Sequence, residues 1–275
     1  MSGSVAMENI SVTQFNMGHM RFDLSGIYRL PADHQFAGRI MDVPMVSYHI
    51  SLPGRSVLVD AINYDLQDIP PSFLIPDYAP PPGLLEQMKD SGINAESVSD
   101  VIITHAHFDH YGALCTAVDG RYKPAFPNAR HYLNTADWHP KRFNEMDQST
   151  LGLVEQHGLL ELTKGKTDLG DGLTLLPMPG ETAGHQILRL TTGKRDIYFA
   201  GDLYHHPLEF ADTAFNVRWA ARKSMGRSKL TMMKSIAGGD GLAHFTHISG
   251  VYGVVEQKDG VFAWQERSFA GYADE

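Results

Sequence analysis

The 275-residue chain carries 23 Lys and Arg against 32 Asp and Glu, a formal charge of −9, and 43% of its residues are hydrophobic. Such a chain can bury one sizeable core, and its acidic balance argues against broad nucleic-acid binding through phosphate contacts. Its single cysteine, Cys115, excludes an intramolecular disulfide, and the sequence shows neither a secretory signal pattern nor a long apolar span, so we expect a cytoplasmic protein without membrane contact.

The first clear elements form a β-hairpin followed by a proline-rich loop. Residues 45–51 and 56–61 flank Leu52-Pro-Gly-Arg, and Asp60 stands at the end of the second strand. Residues 70–82 hold six of the 15 prolines, which excludes a regular helix or a central strand. We expect an extended surface loop there. Its apolar residues either pack onto the domain or line a pocket or subunit contact; they are Phe73, Leu74, Ile75 and Tyr78.

A short helix and a buried strand come next. Residues 84–91 place apolar side chains at helical spacing, and Gly92 gives that helix a natural end. Residues 101–104 are a β-branched run typical of a buried strand. The strand therefore delivers the chain to the segment that follows it, at the carboxyl edge of a sheet.

That segment, residues 104–112, reads THAHFDHYG and concentrates metal-ligand chemistry. His105 and His107 alternate as at a strand end, so that their side chains point the same way, and Asp109 and His110 follow directly. Imidazole and carboxylate are the ligands of zinc and similar metals, but one ion takes only about four of them. The motif therefore indicates a metal site, with two ions and further ligands from elsewhere.

Three later positions supply candidates for those ligands, each beside an apolar, strand-like run. They are His185 in PGETAGHQ, Asp202 in IYFAGDLYHHP and His244 in LAHFTHISG. His247 competes with His244, since the two lie in one segment at an odd spacing that would put them on opposite faces of a strand. The spacing alone does not decide between them.

The remaining pattern alternates strands with turns and helices. The predicted strands are 129–133, 173–177, 186–191 and 196–200, and the predicted helices lie near 134–139, 148–157 and 226–237. Six Lys and Arg and no acidic residue fall between Thr213 and Gly239, which we interpret as a solvated helix face.

The motifs together resemble the metallo-β-lactamase superfamily over roughly residues 40–265. The resemblance rests on HxHxDH at 105–110, GH at 184–185, GD at 201–202 and His244, with Asp60 matching an aspartate that braces the metal loop. It implies an α/β fold, a four-layer αβ/βα sandwich. We expect one such domain over residues 1–275, with 1–39 as an N-terminal extension packed on the core.

The resemblance also implies the ligand set and the chemistry. His105, His107 and His185 would hold one ion, and Asp109, His110 and His244 the other, with Asp202 bridging; the metals would be Zn²⁺ first, with Mn, Fe or Co as alternatives. A bridging hydroxide would be the nucleophile, and Asp109 would also transfer a proton. Family resemblance favours His244 over His247, because an aromatic residue and then Gly250 follow it.

Several nearby residues are candidates for contact with substrate. Tyr204 would donate a hydrogen bond to the substrate carbonyl or anchor in the core, while His205 and His206 would support the ligands, line the pocket or face solvent. In the N-terminal segment, Met17, Met20 and Phe22 either fold over the pocket or pack in the core.

The same resemblance also implies a class of substrate. Residues 43–48 and the metal motif resemble N-acyl-homoserine lactonases, which predicts hydrolysis of a small lactone or ester. The alternative is a phosphotriester or aryl-ester hydrolase, because GDLYHHP resembles the methyl-parathion-hydrolase-like branch; a non-catalytic metal-binding protein is the third reading. We expect no nucleic-acid partner, and a homodimer is compatible with the sequence.

Overall fold

The computed structural model describes residues 3–7, 10–63, 70–210, 215–239, 241–258 and 261–268. Within these residues the chain forms two seven-stranded sheets and a small two-stranded one. The first sheet has the order β1-β2-β3-β4-β5-β8-β9. Its strands are β1 Gly3–Met7, β2 Ile10–Asp23, β3 Ile40–Leu52, β4 Arg55–Val59, β5 Asp100–Ile102, β8 Arg130–Asn134 and β9 Leu160–Thr163. The small sheet pairs β6 Cys115–Val118 with β7 Arg121–Pro124.

The second sheet contains the later strands in simple chain order, β10 to β16. Its strands are β10 Thr167–Gly170, β11 Leu173–Pro177, β12 Gln186–Thr191, β13 Asp196–Phe199, β14 Leu242–Phe245, β15 Ile248–Lys258 and β16 Val261–Ser268. β13 and β14 are parallel, as are β4, β5, β8 and β9 in the first sheet. Both sheets thus present carboxyl ends of parallel strands, where loops can carry functional groups.

Helices cover the outer faces of the sheets. The α-helices of the described chain are α1 Leu24–Ile27, α2 Leu84–Asp90, α3 Glu145–Asp147, α4 Leu153–Gln156 and α5 Arg222–Gly239. A π-helical turn, Gln148–Gly152, joins α3 to α4. None of the described helices is long and apolar enough to cross a membrane.

The apolar residues divide into two cores that define the layers. One core lies between the sheets and joins residues such as Ile50 and Ile102 of the first sheet to Leu188 and Phe199 of the second. The other core includes the buried faces of α2 and α5 against the outer sides of the sheets. The order is helix, sheet, sheet, helix, which confirms the predicted αβ/βα sandwich.

Most predicted elements are confirmed with small changes in their ends. The hairpin is β3 and β4, and the helix predicted at 84–91 is α2. The prediction of a helix near 134–139 is wrong, since two 3₁₀ turns, Thr135–Asp137 and Pro140–Arg142, stand there. The Asn134 side chain accepts from the Ala136 amide, and Pro140 disfavours a helical residue before it.

Three other segments settle alternatives left open by the sequence. The N-terminal segment contributes a strand to the first sheet, because β2 pairs with β3 along its length. The proline-rich loop has only a 3₁₀ turn, Pro71–Phe73, and no described strand. The basic stretch is solvated on one face of α5, but Lys229 is fully buried; residues 213 and 214 of that stretch lie outside the described residues.

A buried ion pair joins the β3–β4 hairpin to β5. Arg55 Nε and Nη2 donate to the two carboxylate oxygens of Asp100, each at 2.8 Å. Burial alone would raise the pKa of Asp100, but Arg55 and the Ser99 hydroxyl outweigh it and lower the pKa below its ordinary value. Stability from this pair is therefore present above the unfolded pKa of Asp100 and is lost as the pH falls through the lower folded value.

We expect Arg55→Met to lower the free energy of unfolding at pH 7 by about 1.5 to 3 kcal/mol, typical of hydrogen bonds to a charged group. Urea unfolding at pH 7 and at about pH 3 measures the effect, which should shrink at the lower pH because part of the pair's stabilisation is lost once the pH is below the unfolded pKa of Asp100. Arg121→Met, at an exposed position of β7, is the control. An equal loss at both pH values would contradict the role of the ion pair.

Candidate metal centre

The predicted histidine motif forms a loop directly after β5. His105 and His110 are completely buried, while His107 is partly exposed. His105 Nε2 and His107 Nδ1 lie 2.9 Å apart, so the two rings turn their nitrogens towards one point. Asp109 and His110 belong to a 3₁₀ turn, Phe108–His110, which turns them towards a second point. The residues of the motif therefore form two neighbouring groups of ligand atoms.

Asp60 holds this loop in place, as the sequence predicted. It is buried directly after β4 with a φ of 55°, a conformation that costs a non-glycine residue free energy. Its Oδ1 accepts from the Thr104 amide at 2.8 Å, and its Oδ2 accepts from the Thr104 hydroxyl at 2.9 Å. His110 Nδ1 lies 2.9 Å from the same Oδ2, which leaves His110 Nε2 directed at the centre. The strained backbone is therefore compensated by bonds that orient the loop.

Asp202 lies between the two groups of ligand atoms, on the turn after β13. Its Oδ2 is 3.8 Å from His105 Nε2, and its Oδ1 is 3.3 Å from His110 Nε2. Gly201, with a φ of 51°, makes this turn possible, since an added Cβ would lie 2.7 Å from the Thr104 hydroxyl oxygen. The position of Asp202 fits the predicted bridging carboxylate.

The sequence favoured His244 over His247 as a ligand, but the structure brings His247 to the centre and not His244. His244 belongs to β14, and its ring stacks on Phe199 with 5.1 Å between centroids, inside the core between the sheets. His247 follows the end of that strand, and its Nε2 lies 3.5 Å from Asp109 Oδ2 and 3.2 Å from Asp202 Oδ2. The preference for His244 is therefore corrected: a residue within the strand points into the sandwich, whereas one in the following turn reaches the centre.

His185 lies beside the centre but in neither group of converging atoms. Its ring centroid is 5.2 Å from that of His105. Its Nε2 accepts from the Asp202 amide at 3.2 Å, and its Nδ1 lies 3.1 Å from the Met178 carbonyl oxygen. A neutral imidazole has one donor and one acceptor nitrogen, so these two contacts use both.

A second carboxylate, Asp137, ties the loop of His185 to the histidine motif. Its Oδ1 accepts from the Gly184 amide at 2.7 Å, and its Oδ2 accepts from the Thr182 hydroxyl at 2.6 Å and the Ala106 amide at 3.1 Å. The sequence analysis missed Asp137 because it assigned this region to a helix. The carboxylate fixes two loops from different sheets relative to each other.

The structure also exchanges the expected roles of Tyr204 and His205. Tyr204 is 1% exposed and packs against aromatic residues of the core, including Phe210 at 4.8 Å and Phe245 at 5.3 Å between centroids. His205 is the next residue of an extended segment and so points the other way, with Nε2 3.3 Å from Asp202 Oδ2. The expectation that Tyr204 contacts substrate is corrected, while His206 lies outside both groups.

Glu181 is a residue of the centre that the sequence analysis did not single out. It lies in the loop between β11 and β12, its side chain is buried, and its Oε1 is 3.4 Å from both His107 Nδ1 and His205 Nε2. The Trp219 indole donates a hydrogen bond to the same oxygen. The signal was present in PGETAGHQ, where Glu181 stands four residues before His185, but a single glutamate in a loop carries no periodicity.

The electrostatics of the centre favour added positive charge. Burial alone would lower the pKa of His110, but the carboxylates of Asp202 and Asp60 outweigh it and raise the pKa well above its ordinary value. Burial would likewise raise the pKa of Asp202, yet His247, His110 and His205 lower it well below its ordinary value. By contrast, burial lowers the pKa of His244 to about 3, as expected for a core histidine.

Two sets of converging ligand atoms define the centre, and in each set all atoms lie within 4.8 Å of one another. The first cluster is His105, His107, Glu181 and Asp202; the second cluster is Asp109, His110, Asp202 and His247. Within the described chain, His110 Nε2, Asp202 Oδ1 and Glu181 Oε2 are buried without a hydrogen-bond partner. Burial of polar atoms without a partner costs free energy. A divalent cation bound by these imidazole and carboxylate groups would compensate that cost. The residues therefore fit a metal centre.

A pocket of about 190 Å³ opens onto the two clusters. Its polar wall consists of residues of the clusters and His205, and its apolar wall comprises Met20, Phe22, Phe73, Phe108 and Trp219. The N-terminal segment and the proline-rich loop thus both contribute to the pocket, since Phe22 and Phe73 meet at 5.4 Å between centroids. Met17 is buried in the core instead.

The fold and this candidate metal centre are those of one protein superfamily. The sequence model of the Metallo-beta-lactamase superfamily matches residues 47–252, and the chain belongs to that family. Among curated proteins, a "probable metallo-hydrolase" of Mycobacterium bovis and one of Mycobacterium tuberculosis are each 26% identical over 129 residues, or 44% of this chain. The match spans only 41% of the length of these relatives.

Solved structures share the fold over nearly the whole chain. The hydrolase AbOPH of the beta lactamase superfamily has a TM-score of 0.78 at 18% identity, covering 98% of both chains. AidC, a dizinc quorum-quenching lactonase in complex with a product, has a TM-score of 0.75 at 16% identity and the same coverage. A probable metal-dependent hydrolase from Staphylococcus aureus has a TM-score of 0.73 at 17% identity, covering 96% of this chain and 99% of its own.

Proposed function

We propose that residues 1–275 act as one domain, a dinuclear metal-dependent hydrolase that opens a lactone, with N-acyl-homoserine lactones as the substrate class. The observation that carries this proposal is the direct opening of an apolar pocket onto two adjoining ligand clusters. When the ester group of a substrate lies at the clusters, its apolar chain lies in the pocket. A non-catalytic metal-binding protein would not need this pocket.

The ligand clusters supply the sites for the ions. His105 and His107 would hold the first ion and Asp109, His110 and His247 the second, with Asp202 shared between them. When bound, two divalent ions, Zn²⁺ in the first instance, would lower the pKa of water towards neutrality and polarise the carbonyl of a substrate. The protein's own task is to hold the ligands and to position the substrate.

Two residues of the pocket wall have roles in that positioning. Asp109 lines the pocket beside His247, and we assign it the transfer of a proton from the attacking water to the departing alkoxide of the opened ring. His205 also lines the pocket, with its Nε2 3.3 Å from Asp202 Oδ2. Its Nε2 takes the task expected of Tyr204, a hydrogen bond to the substrate carbonyl.

The pocket supports a substrate with an apolar chain. Its cavity volume of about 190 Å³ is below the roughly 300 to 1,000 Å³ of drug-sized sites, so it encloses only part of a long-chain substrate. The side chains of Met20, Phe22 and Phe73 form a wall opposite the acidic centre, and burial of an acyl chain against them contributes about 0.8 kcal/mol per methylene.

A second candidate function follows from the aromatic content of that wall. Phe22, Phe73, Phe108 and Trp219 offer ring faces and edges that stack on an aryl group. This favours aryl esters or aryl phosphotriesters as alternative substrates, for which the same two ions would polarise the carbonyl or phosphoryl oxygen.

Proton release distinguishes the two candidates. We expect protein loaded with two Zn²⁺ or Mn²⁺ per chain to release acid in a pH-stat when mixed with a long-chain N-acyl-homoserine lactone, and to lose this activity after treatment with a chelator. His107→Ala should be inactive, whereas His157→Ala, at an exposed position, should match the wild type. Protein shown to hold two ions that opens no lactone but cleaves aryl esters or phosphotriesters would replace the first proposal with the second.

A further inference from the structure

Glu209 is a fully buried carboxylate that contacts His205 but does not itself line the pocket. It stands four residues after His205, in the 3₁₀ turn Pro207–Phe210. Its Oε1 accepts a hydrogen bond from the His205 amide at 3.0 Å and lies 3.4 Å from His205 Nδ1. One carboxylate oxygen therefore contacts both the backbone and the ring of a residue that lines the pocket.

Two side chains from distant parts of the chain fix this carboxylate. The hydroxyl of Tyr28, the residue after α1, donates to Glu209 Oε1 at 2.6 Å, and the ammonium of Lys229 in α5 donates to Oε2. Lys229 also donates to the Phe215 carbonyl oxygen at 2.8 Å, which limits the movement of its own side chain. The fold thus determines where Glu209 lies independently of the orientation of His205.

The other ring nitrogen of His205 faces the metal centre. His205 Nε2 lies 3.3 Å from Asp202 Oδ2 and 3.4 Å from Glu181 Oε1. The partner of one ring nitrogen sets the role of the other. Rotation of the ring by half a turn about the Cβ–Cγ bond would put carbon atoms in the places of both nitrogens. A carboxylate at Nδ1 opposes that rotation, because it would lose a favourable contact with the ring.

We propose that Glu209 is a positioning residue for His205: it holds the imidazole so that Nε2 faces the reacting carbonyl of the substrate. Tyr28 and Lys229 hold Glu209 in turn. This inference rests on the proposed function, in which His205 contacts the substrate, and it applies to a lactone and to an aryl ester alike. Orientation is important because a misplacement of about 1 Å in an active site can cost roughly 100-fold in rate.

Kinetics of the metal-loaded protein test the proposal. Glu209→Gln removes the charge with little change in size, and combination with Lys229→Met leaves no buried lysine without its carboxylate. We expect this double variant to lose about 10-fold or more in kcat with little change in KM, which is part of the roughly 10²- to 10³-fold cost of losing a whole donor to a reacting oxygen. Asp100→Asn, which breaks a buried ion pair outside the pocket, should lose stability but keep its kcat.

The same double substitution in a His205→Ala background separates positioning from a general structural role. Without the His205 ring, the change at Glu209 and Lys229 should alter kcat by less than about 2-fold, because residues that act through one partner have non-additive effects. An equal fall in kcat with and without His205 would overturn the proposal, as would an unchanged kcat in the double variant.

A measurement without substrate keeps the proposal distinct from the proposed function. In protein labelled with ¹⁵N in its histidine rings, the His205 signals are those that His205→Ala lacks. They should shift in the Glu209→Gln and Lys229→Met double variant and stay in place in Asp100→Asn. An unshifted His205 signal in the double variant would overturn the positioning role. Hydrolysis of neither a lactone nor an aryl ester by wild-type protein with two ions would overturn the proposed function instead.

Discussion

His247→Ala is expected to lose the ion of the second cluster and most of the activity, because His247 Nε2 lies 3.5 Å from Asp109 and 3.2 Å from Asp202. Substitution of residues that only orient ligands already costs 10- to 100-fold, so a direct ligand should cost about 100-fold or more. Metal content after dialysis, measured by plasma mass spectrometry, should fall from two ions per chain towards one. Initial rates of lactone opening give the second measurement.

The matched control lies three residues earlier. His244→Ala removes a ring stacked between the sheets, so it should lower the melting temperature but retain both ions. The pair distinguishes the two histidines that the sequence left in competition. Loss of an ion in His244→Ala, with full metal content in His247→Ala, would show that the expectation from family resemblance is right and the geometry wrong.

The second large effect concerns stability and involves Lys229 on the buried face of α5. Its ammonium donates to Glu209 and to the Phe215 carbonyl oxygen, and both charged side chains are fully buried. Burial alone would raise the pKa of Glu209, but Lys229 and His205 outweigh it and lower the pKa to about 2. Lys229→Met removes the lysine partner of that buried carboxylate, and loss of one partner of a buried ion pair typically costs about 3 to 5 kcal/mol.

We expect this loss to lower the melting temperature by about 6 to 20 °C, since the melting temperature of a protein of this size changes by roughly 2 to 4 °C per kcal/mol. Calorimetry measures it, and Lys223→Met, exposed on the same helix, should melt within a degree or two of the wild type. Adding Glu209→Gln to Lys229→Met removes the orphaned charge and should restore part of the loss. If Lys229→Met and Lys223→Met melted together, the buried pair would have no role in stability.

The sequence could predict those parts of the centre that are local. His105, His107, Asp109 and His110 lie within six residues, so their alternation and the strand before them determine where they point. The early hairpin and α2 are predicted equally well, because turn residues and helical spacing mark them. In each case the residues that carry the sequence pattern are the same residues that form the element.

The rest depends on contacts that no local pattern records. The choice between His244 and His247 is decided by the end of β14 and by His247 Nδ1, 2.8 Å from the Pro44 carbonyl oxygen, 203 positions away in the chain. Glu181 joins the centre only because β11 and β12 return its loop to the histidine motif. Tyr204 and His205 are adjacent, so an error of one residue exchanges the core face for the pocket face.

The contact between His247 and Pro44 has a consequence for the order of folding. Pro44 belongs to β3 in the first sheet and His247 follows β14 in the second, and Tyr48 of β3 also donates to the Phe245 carbonyl oxygen at 2.9 Å. Contact between residues so far apart in the chain closes a long loop, which costs conformational entropy. Such long-range contacts are typical of slow folding steps. The second cluster is therefore assembled only when the two halves of the chain have met, and the moment of ion uptake during refolding marks the completion of the sandwich.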